Sequence, residues 1–503
     1  MTPRKLILTA FGTATLSLVP GRALAQFPKA FDTDREFISA NGPAELTEHY
    51  AIDAILSAPA VVDRLVSVGS RTLPTGERGL HVIVWSKQHT ILDELLLTDH
   101  QIGGDLVGYD VKIAANKHLL IAGEYRRPGG VQGTFVCRLD LVARSVVWYV
   151  GLTGQYTTPG IPWSLAQPAY ALVELPNGDV AIARTLDFGG FTPTVGLVSC
   201  LDAAGIPKWS KYYSDAVGLN RWLNIQDLTV APPGSVNPPA GSLIAVGSFD
   251  DKGLVMNIDA ATGNILWGVG STVFSGVTQW RGIDFDWTTF DMFLSGIIVH
   301  QLDFCFGPKL VVGRLTPGTC GFPPASNWLT TEPGLDFIPA PGAVSFRKSI
   351  SGSTERLLVA GGTTCYSLAY GMVLDPATGA PIRTWTDGGG GPTTYARTHD
   401  LAGSRHSFTA HTIGQRGQAG SPPVGAYVSA ANCVADVPVV PDGLPIDCYA
   451  DDTIGAFPDD FFYPLMWNDY PSMSVEVHNC RNNHFGGGVN DLPDPKIKFK
   501  WPP

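Results

Sequence analysis

The sequence predicts an all-β chain, a β-propeller of about seven four-stranded blades with an irregular C-terminal extension. Three observations predict it. Short β-rich runs such as Ile244-Ala245-Val246-Gly247-Ser248 and Val359-Ala360-Gly361-Gly362 recur between turn signals. Gly (57) and Pro (39) are abundant while only 16% of residues are charged, a composition rich in turns. The third observation is a repeated unit in which a strand ending in Leu-Asp or Ile-Asp enters a small turn and the next strand carries Trp.

The repeat is read directly. Asp140 precedes Trp148, Asp202 precedes Trp209, Asp259 precedes Trp267 and Asp375 precedes Trp385. Successive Asp positions lie 62, 57 and 116 residues apart, with a degenerate copy, Leu315-Thr316-Pro317-Gly318, midway in the longest gap. An Asp side chain accepts bonds from backbone N–H groups two residues on, and a following Gly accepts positive φ. The Trp caps the hairpin with a large apolar surface, so these four tryptophans are expected to pack between neighbouring sheets. Upstream, Leu172 to Ala183 alternates around Asn177-Gly178, a strong hairpin signal. Four strands per unit make a blade, and units fall near 61–98, 106–150, 169–212, 222–268, 280–330, 342–386 and 394–430. Small sheets set around an axis escape the size limit of a single core. Two β-sandwich domains are the alternative, against which the even period argues.

The ends differ from the repeat. Arg4 and Lys5, an apolar stretch from Leu6 to Val19 and Ala23-Leu24-Ala25 compose a secretory signal. Residues 1–25 are therefore expected to be removed after Ala25, placing the chain in the periplasm or outside the cell. Fourteen apolar residues are fewer than the ~20 that span a bilayer, and no later run reads as a transmembrane span. Residues 26–60, with a short helix near Glu45–Leu56, are expected to pack on the propeller or close it; the propeller itself is expected over 61–431. Residues 432–503 form the extension. Between Arg416 and Arg481 there is no Lys or Arg, but many acids and Phe457, Phe461, Phe462, Tyr463, Trp467 and Tyr470. So many aromatics predict an ordered segment lying on the propeller.

Charge and cysteines narrow the class. Loss of the signal moves the net charge from −11 to −14, because Arg4, Lys5 and Arg22 leave and no acid does. Nucleic acid is thereby excluded as a partner, since phosphate binding needs a basic face. Eight cysteines in an exported chain predict disulfides. Cys305 with Cys320, and Cys433 with Cys448, are the expected pairs.

Ile258-Asp259-Ala260-Ala261-Thr262-Gly263-Asn264-Ile265-Leu266-Trp267 resembles the pyrroloquinoline-quinone-type propeller repeat, with looser copies at 201–209 and 374–385. The resemblance is at the level of fold. It implies a propeller that serves as an enzyme or as a scaffold or receptor. Quinoprotein dehydrogenases of this kind have eight blades and an adjacent Cys-Cys pair; this chain has neither feature, and no cofactor is expected.

Two side-chain groups are candidate sites. His399, Asp400, His406 and His411 form the densest histidine group, suited to acid–base work or a metal. Asp447, Asp451 and Asp452 offer the carboxylates calcium prefers. For each, the competing reading is a set of polar loop residues, because no known ligand spacing is matched. The expected function is a binding or scaffold module for a protein or glycan partner. The alternative is a hydrolase, lyase or oxidoreductase with its site in the central channel.

Overall fold

The computed structural model describes residues 31–38, 47–98, 104–126, 132–152, 170–186, 194–213, 222–249, 252–272, 277–299, 309–316, 328–331, 337–363, 369–387, 394–418, 425–432, 443–444 and 447–450. These residues form strands and turns, with no helix among them.

Strand β1 (Phe31–Ile38) belongs to the last sheet. The first sheet is β2 (Thr47–Ala58), β3 (Val61–Thr72), β4 (Arg78–Ser86) and β5 (Ile91–Leu97). The second is β6 (Asp105–Ile113), β7 (Leu119–Arg126), β8 (Gln132–Asp140) and β9 (Ser145–Leu152). The third is β10 (Tyr170–Glu174), β11 (Val180–Leu186), β12 (Val195–Leu201) and β13 (Pro207–Tyr213). The fourth is β14 (Leu223–Val230), β15 (Leu243–Phe249), β16 (Lys252–Ile258) and β17 (Ile265–Thr272). The fifth is β18 (Val277–Phe285), β19 (Met292–Val299), β20 (Lys309–Leu315) and β21 (Trp328–Thr331). The sixth is β22 (Phe337–Lys348), β23 (Glu355–Thr363), β24 (Ala369–Leu374) and β25 (Pro381–Asp387). The seventh is β26 (Thr394–Ala402), β27 (Thr409–Gln418) and β28 (Gly425–Asn432), completed by β1, which pairs antiparallel with β28. Two short strands, β29 (Gly443–Leu444) and β30 (Asp447–Ala450), add to the outer edges of the fifth and fourth sheets.

This is a propeller arrangement of four-stranded blades. Each pair of neighbouring sheets encloses its own apolar core. Val68, Val82 and Leu95 of the first sheet meet Leu106, Ile121 and Phe135 of the second. Ile244 and Val255 of the fourth meet Trp280 and Leu294 of the fifth. The seventh sheet packs back onto the first, with Ala402, Ile413 and Val428 against Ile52, Leu65 and Trp85. A blade buried on both faces needs apolar residues on both sides of its middle strands, and Leu243–Phe249 is buried at every position.

The helix expected near Glu45–Leu56 is strand β2. Thr47 and His49 share one face; beyond the bulge at Tyr50, Ala51 faces the core shared with the second sheet, and Ile52 and Ala54 the core shared with the seventh. Tertiary packing overrides the helix-forming Ala, Glu and Leu of the segment. The boundary expected at 61 consequently falls inside the first sheet, whose innermost strand is β2.

In a four-stranded meander, the first and third turns share one end. Contacts between sheets place these turns on one face of the molecule. Arg144 pairs with Asp93 at 3.2 Å, and Trp148 Nε1 donates to Ala203 O at 3.1 Å. Trp209 Nε1 donates to Ala260 O at 3.0 Å, and Lys348 Nζ lies 3.5 Å from Thr288 Oγ1. Lys348 N donates to Arg405 O, and Ser404 Oγ to Pro59 O.

The Asp turns recur on this face. Asp140, Asp202, Asp259 and Asp375 each accept from the backbone N–H two residues on. Trp148 and Trp209 are half-buried, each lying over the turn glycine of the next sheet. Trp385's side chain lies outside the described residues. Trp267 departs from the pattern and donates to Asn237 in the loop of its own sheet. At Gly263 φ is +74°, and an added Cβ would stand 2.7 Å from Cε3 of Trp209. Gly263→Ala is expected to lower stability by about 1–3 kcal/mol, checked by urea unfolding of both proteins.

Cys137 and Cys200 are buried free thiols, each pushed up to about 12 by burial. The disulfide expectation does not extend to them. Cys305, Cys320 and Cys433 lie outside the described residues, as does the side chain of Cys448.

Candidate functional site

The innermost strands other than β10 carry β-bulges or register shifts, which re-aim the extra residue. The bulge in β2 falls at Tyr50, in β6 at Tyr109 and in β26 at His399. These three strands belong to three different sheets, yet their rings meet. Tyr50 and Tyr109 have centroids 4.9 Å apart, and Tyr50 and His399 5.3 Å. Tyr50 OH donates to Glu48 Oε2 at 2.5 Å, and Arg78 Nη1 lies 3.8 Å from the same oxygen. Burial, then the Glu48 carboxylate, holds the Tyr50 phenol well above its ordinary range. It stays protonated and acts as a donor. Glu48 and Tyr50 start β2, and Arg78 starts β4, so the group sits at the end of the axis away from the turn face.

Deeper along the axis, carboxylates join one innermost strand to the next. Asp400 Oδ2 accepts from Ile52 N at 2.9 Å, and Asp53 Oδ2 from Ile113 N at 2.7 Å. Asp110 accepts from Leu172 N at 2.7 Å, Asp227 from Ile283 N at 3.0 Å and Asp284 from Phe346 N at 2.8 Å. In each case the other oxygen accepts from the N–H of the following residue. Thr185 Oγ1 accepts from Ile225 N at 2.8 Å between the third and fourth sheets. Burial raises all five carboxyls above the usual range, Asp227 and Asp400 to about 7. Lys112 stands among them, 3.5 Å from Asp110 Oδ1. Burial alone would lower its pKa; Asp110, Asp400, Asp53 and Asp227, from four sheets, outweigh this and hold it above the ordinary lysine value.

Behind Glu48 and Tyr50, a chain of hydrogen bonds crosses the first sheet. Trp85 Nε1 donates to Ser67 Oγ at 2.8 Å, and Ser67 Oγ lies 2.7 Å from His49 Nδ1. His49 Nε2 is 2.9 Å from His81 Nδ1, and His81 Nε2 is 2.9 Å from Glu94 Oε1. Arg71 closes the chain on Glu94 at 2.6 Å. Burial favours both imidazoles neutral. With Glu94 ionised and both rings neutral, every link is satisfied when His81 donates from Nε2 and accepts at Nδ1, and His49 donates from Nε2 and accepts from Ser67. Burial lowers both pKa values, reinforced at His49 by His81 and opposed at His81 by Glu94. This chain fixes the strand that presents Glu48 and Tyr50.

The four residues His399, Asp400, His406 and His411 do not form one group. His399 belongs to the axial cluster, and Asp400 is a clasp between sheets. His406 Nδ1 bonds to Lys348 O at 2.9 Å on the turn face. His411 Nδ1 is 3.1 Å from His89 Nε2, and burial pushes its pKa down to about 3. Among the described residues, no group of three or more His, Cys, Asp or Glu is placed to hold a metal. Asp451 and Asp452 lie outside them, as does the side chain of Asp447. The clasping aspartates had a readable signal. Asp53 and Asp110, and likewise Asp227 and Asp284, are 57 positions apart, the period of the turn repeat. Glu48, Tyr50 and Tyr109 had none.

No helix among the described residues is long and apolar enough to cross a membrane. No protein-family profile matches the chain, so the quinone-type likeness rests on the turn residues alone. No curated protein matches either. Solved structures do. A protein of unknown function from Dyadobacter fermentans is 14% identical, with a TM-score of 0.42, covering 81% of this chain and 100% of its own. The apo soluble aldose sugar dehydrogenase of Escherichia coli is 12% identical, with a TM-score of 0.35, covering 80% and 100%. The NanB sialidase of Streptococcus pneumoniae is 8% identical, with a TM-score of 0.39, covering 78% and 70%.

Proposed function

We propose that the chain is an exported seven-bladed propeller, freed of residues 1–25, that binds a glycan at the axial end lined by Tyr50, Tyr109 and His399. The convergence of these three rings from three sheets carries the reading. A sugar offers an apolar C–H face to aromatic rings and hydroxyls to charged edges. Glu48 and Arg78 supply such edges beside the rings. Their groups bond one another, an arrangement suited to recognition.

The test is a glycan array probed with the chain from Gln26 onward, followed by calorimetry on the best binder. Tyr109→Ala is expected to weaken that binding at least tenfold with little change in melting temperature. Unchanged affinity with an intact fold refutes the site.

A further inference from the structure

The axial ring extends beyond its three aromatic residues. Two further single-residue shifts fall at Gln226 in β14 and at Arg281 in β18. These positions match Tyr50, Tyr109 and His399. In all five strands the residue before the bulge stands opposite a glycine of the next strand: Gly69, Gly123, Gly247, Gly296 or Gly414. At the first four of these, an added Cβ would overlap the carbonyl oxygen two residues before the bulge. The five bulge residues also lie one or two periods of the turn repeat apart. All five are half-buried, while His49, Gly108, Ile225 and Trp280, which precede four of them, are buried.

Equivalent positions in sheets set around one axis share a level. Successive sheets pack on one another, and the seventh returns to the first. His399, Tyr50 and Tyr109 therefore form one arc, on the seventh, first and second sheets. Gln226 and Arg281, on the fourth and fifth, stand across the axis from it. Given that this end binds a glycan, we propose that the sugar is a uronic acid, its ring face on Tyr50 and Tyr109 and its carboxylate on Arg281. The planar fork of a guanidinium matches a carboxylate through two parallel hydrogen bonds. Arg281 Nη2 donates to Gln279 Oε1 at 3.3 Å, a neutral partner that orients the fork. Gln226 offers an amide to a sugar hydroxyl. On the aromatic arc, Glu48 is held by Tyr50 OH and Arg78. Deeper along the axis, each clasping carboxylate holds two backbone N–H groups, and Lys112 stands among them. Matched in this way, these acids do not bar an anion from the ring.

The test is an array of neutral, uronic-acid and sulfated glycans probed with the chain from Gln26 onward, then calorimetry on the best binder and on its carboxyl-reduced form. The best binder is expected to contain a uronic acid, and carboxyl reduction to weaken it about tenfold or more. That comparison uses the unaltered protein. Arg281→Gln is expected to weaken the acidic glycan by a similar factor and to leave the reduced one within about twofold, whereas a structural role would weaken both alike. A neutral or sulfated best binder that Tyr109→Ala weakens overturns the uronic acid and leaves the axial glycan site standing. Equal losses for both forms in Arg281→Gln do the same. No binder, or one indifferent to Tyr109→Ala, removes the axial glycan site and the uronic acid with it.

Discussion

Trp85→Ala is expected to lower the free energy of unfolding by about 3–5 kcal/mol. The ring is fully buried where the seventh sheet returns to the first, beside Ile52, Leu65, Ala402, Ile413 and Val428. Truncation opens a cavity at the seam that closes the molecule. It also removes the N–H that Ser67 accepts, at the head of the chain running through His49 and His81 to Glu94. Trp267→Ala provides the contrast. That ring is only half-buried, so the ~3–5 kcal/mol of a fully buried tryptophan does not apply, and about 1–2 kcal/mol is expected. Urea unfolding of both variants at neutral pH tests the pair. Equal losses would mean that the interface of the first and seventh sheets is no tighter than the rim of the fourth.

The outer half of each blade was legible because its instructions are local. Asp259, Gly263 and Trp267 lie within nine positions, and turn chemistry assigns the first two without knowledge of the rest. The axis was less legible because its contacts are distant in sequence. Ile52 meets Asp400, and His49 meets His81, through pairings that exist only after the sheets assemble. Asp110, Asp227 and Asp400 follow Tyr, Gln and His, so no shared flanking residue marks them. Their spacing alone does. Strand β2 is hard to read for a related reason: Ala51, Ala54 and Leu56 favour helix locally, while the burial of His49 depends on Ser67 and His81, and that of Ala51 on the core shared with the second sheet. His399 was singled out for its neighbours in sequence, His406 and His411. Its neighbour in space is Tyr50.

Asp400→Asn is expected to change stability by an amount that depends on pH. Burial raises the Asp400 carboxyl to about 7; Lys112 opposes this, and Asp110 adds to it. A carboxyl whose folded pKa exceeds its unfolded value of 3.8 binds more protons in the folded state between those limits. Its contribution is full below pH 4 and is lost as pH rises to about 7. The asparagine variant loses one accepted backbone bond at every pH, because its amide nitrogen faces an N–H. That loss is a constant offset. The part that varies is the advantage of the native residue at pH 5 over pH 8, about 1–3 kcal/mol once partial solvent access is allowed for. The pH profile of the native protein alone does not isolate it. His49, His81 and His411 have lowered pKa values, so their contributions are present above pH 6.5 and are lost as pH falls. They act in the opposite direction over the same window. The difference between native and variant cancels them, leaving Asp400. A difference that stays constant from pH 5 to pH 8 would show that Lys112 and the two N–H donors, rather than burial, govern this carboxylate. The clasp between the seventh and first sheets would then be ionised throughout that range.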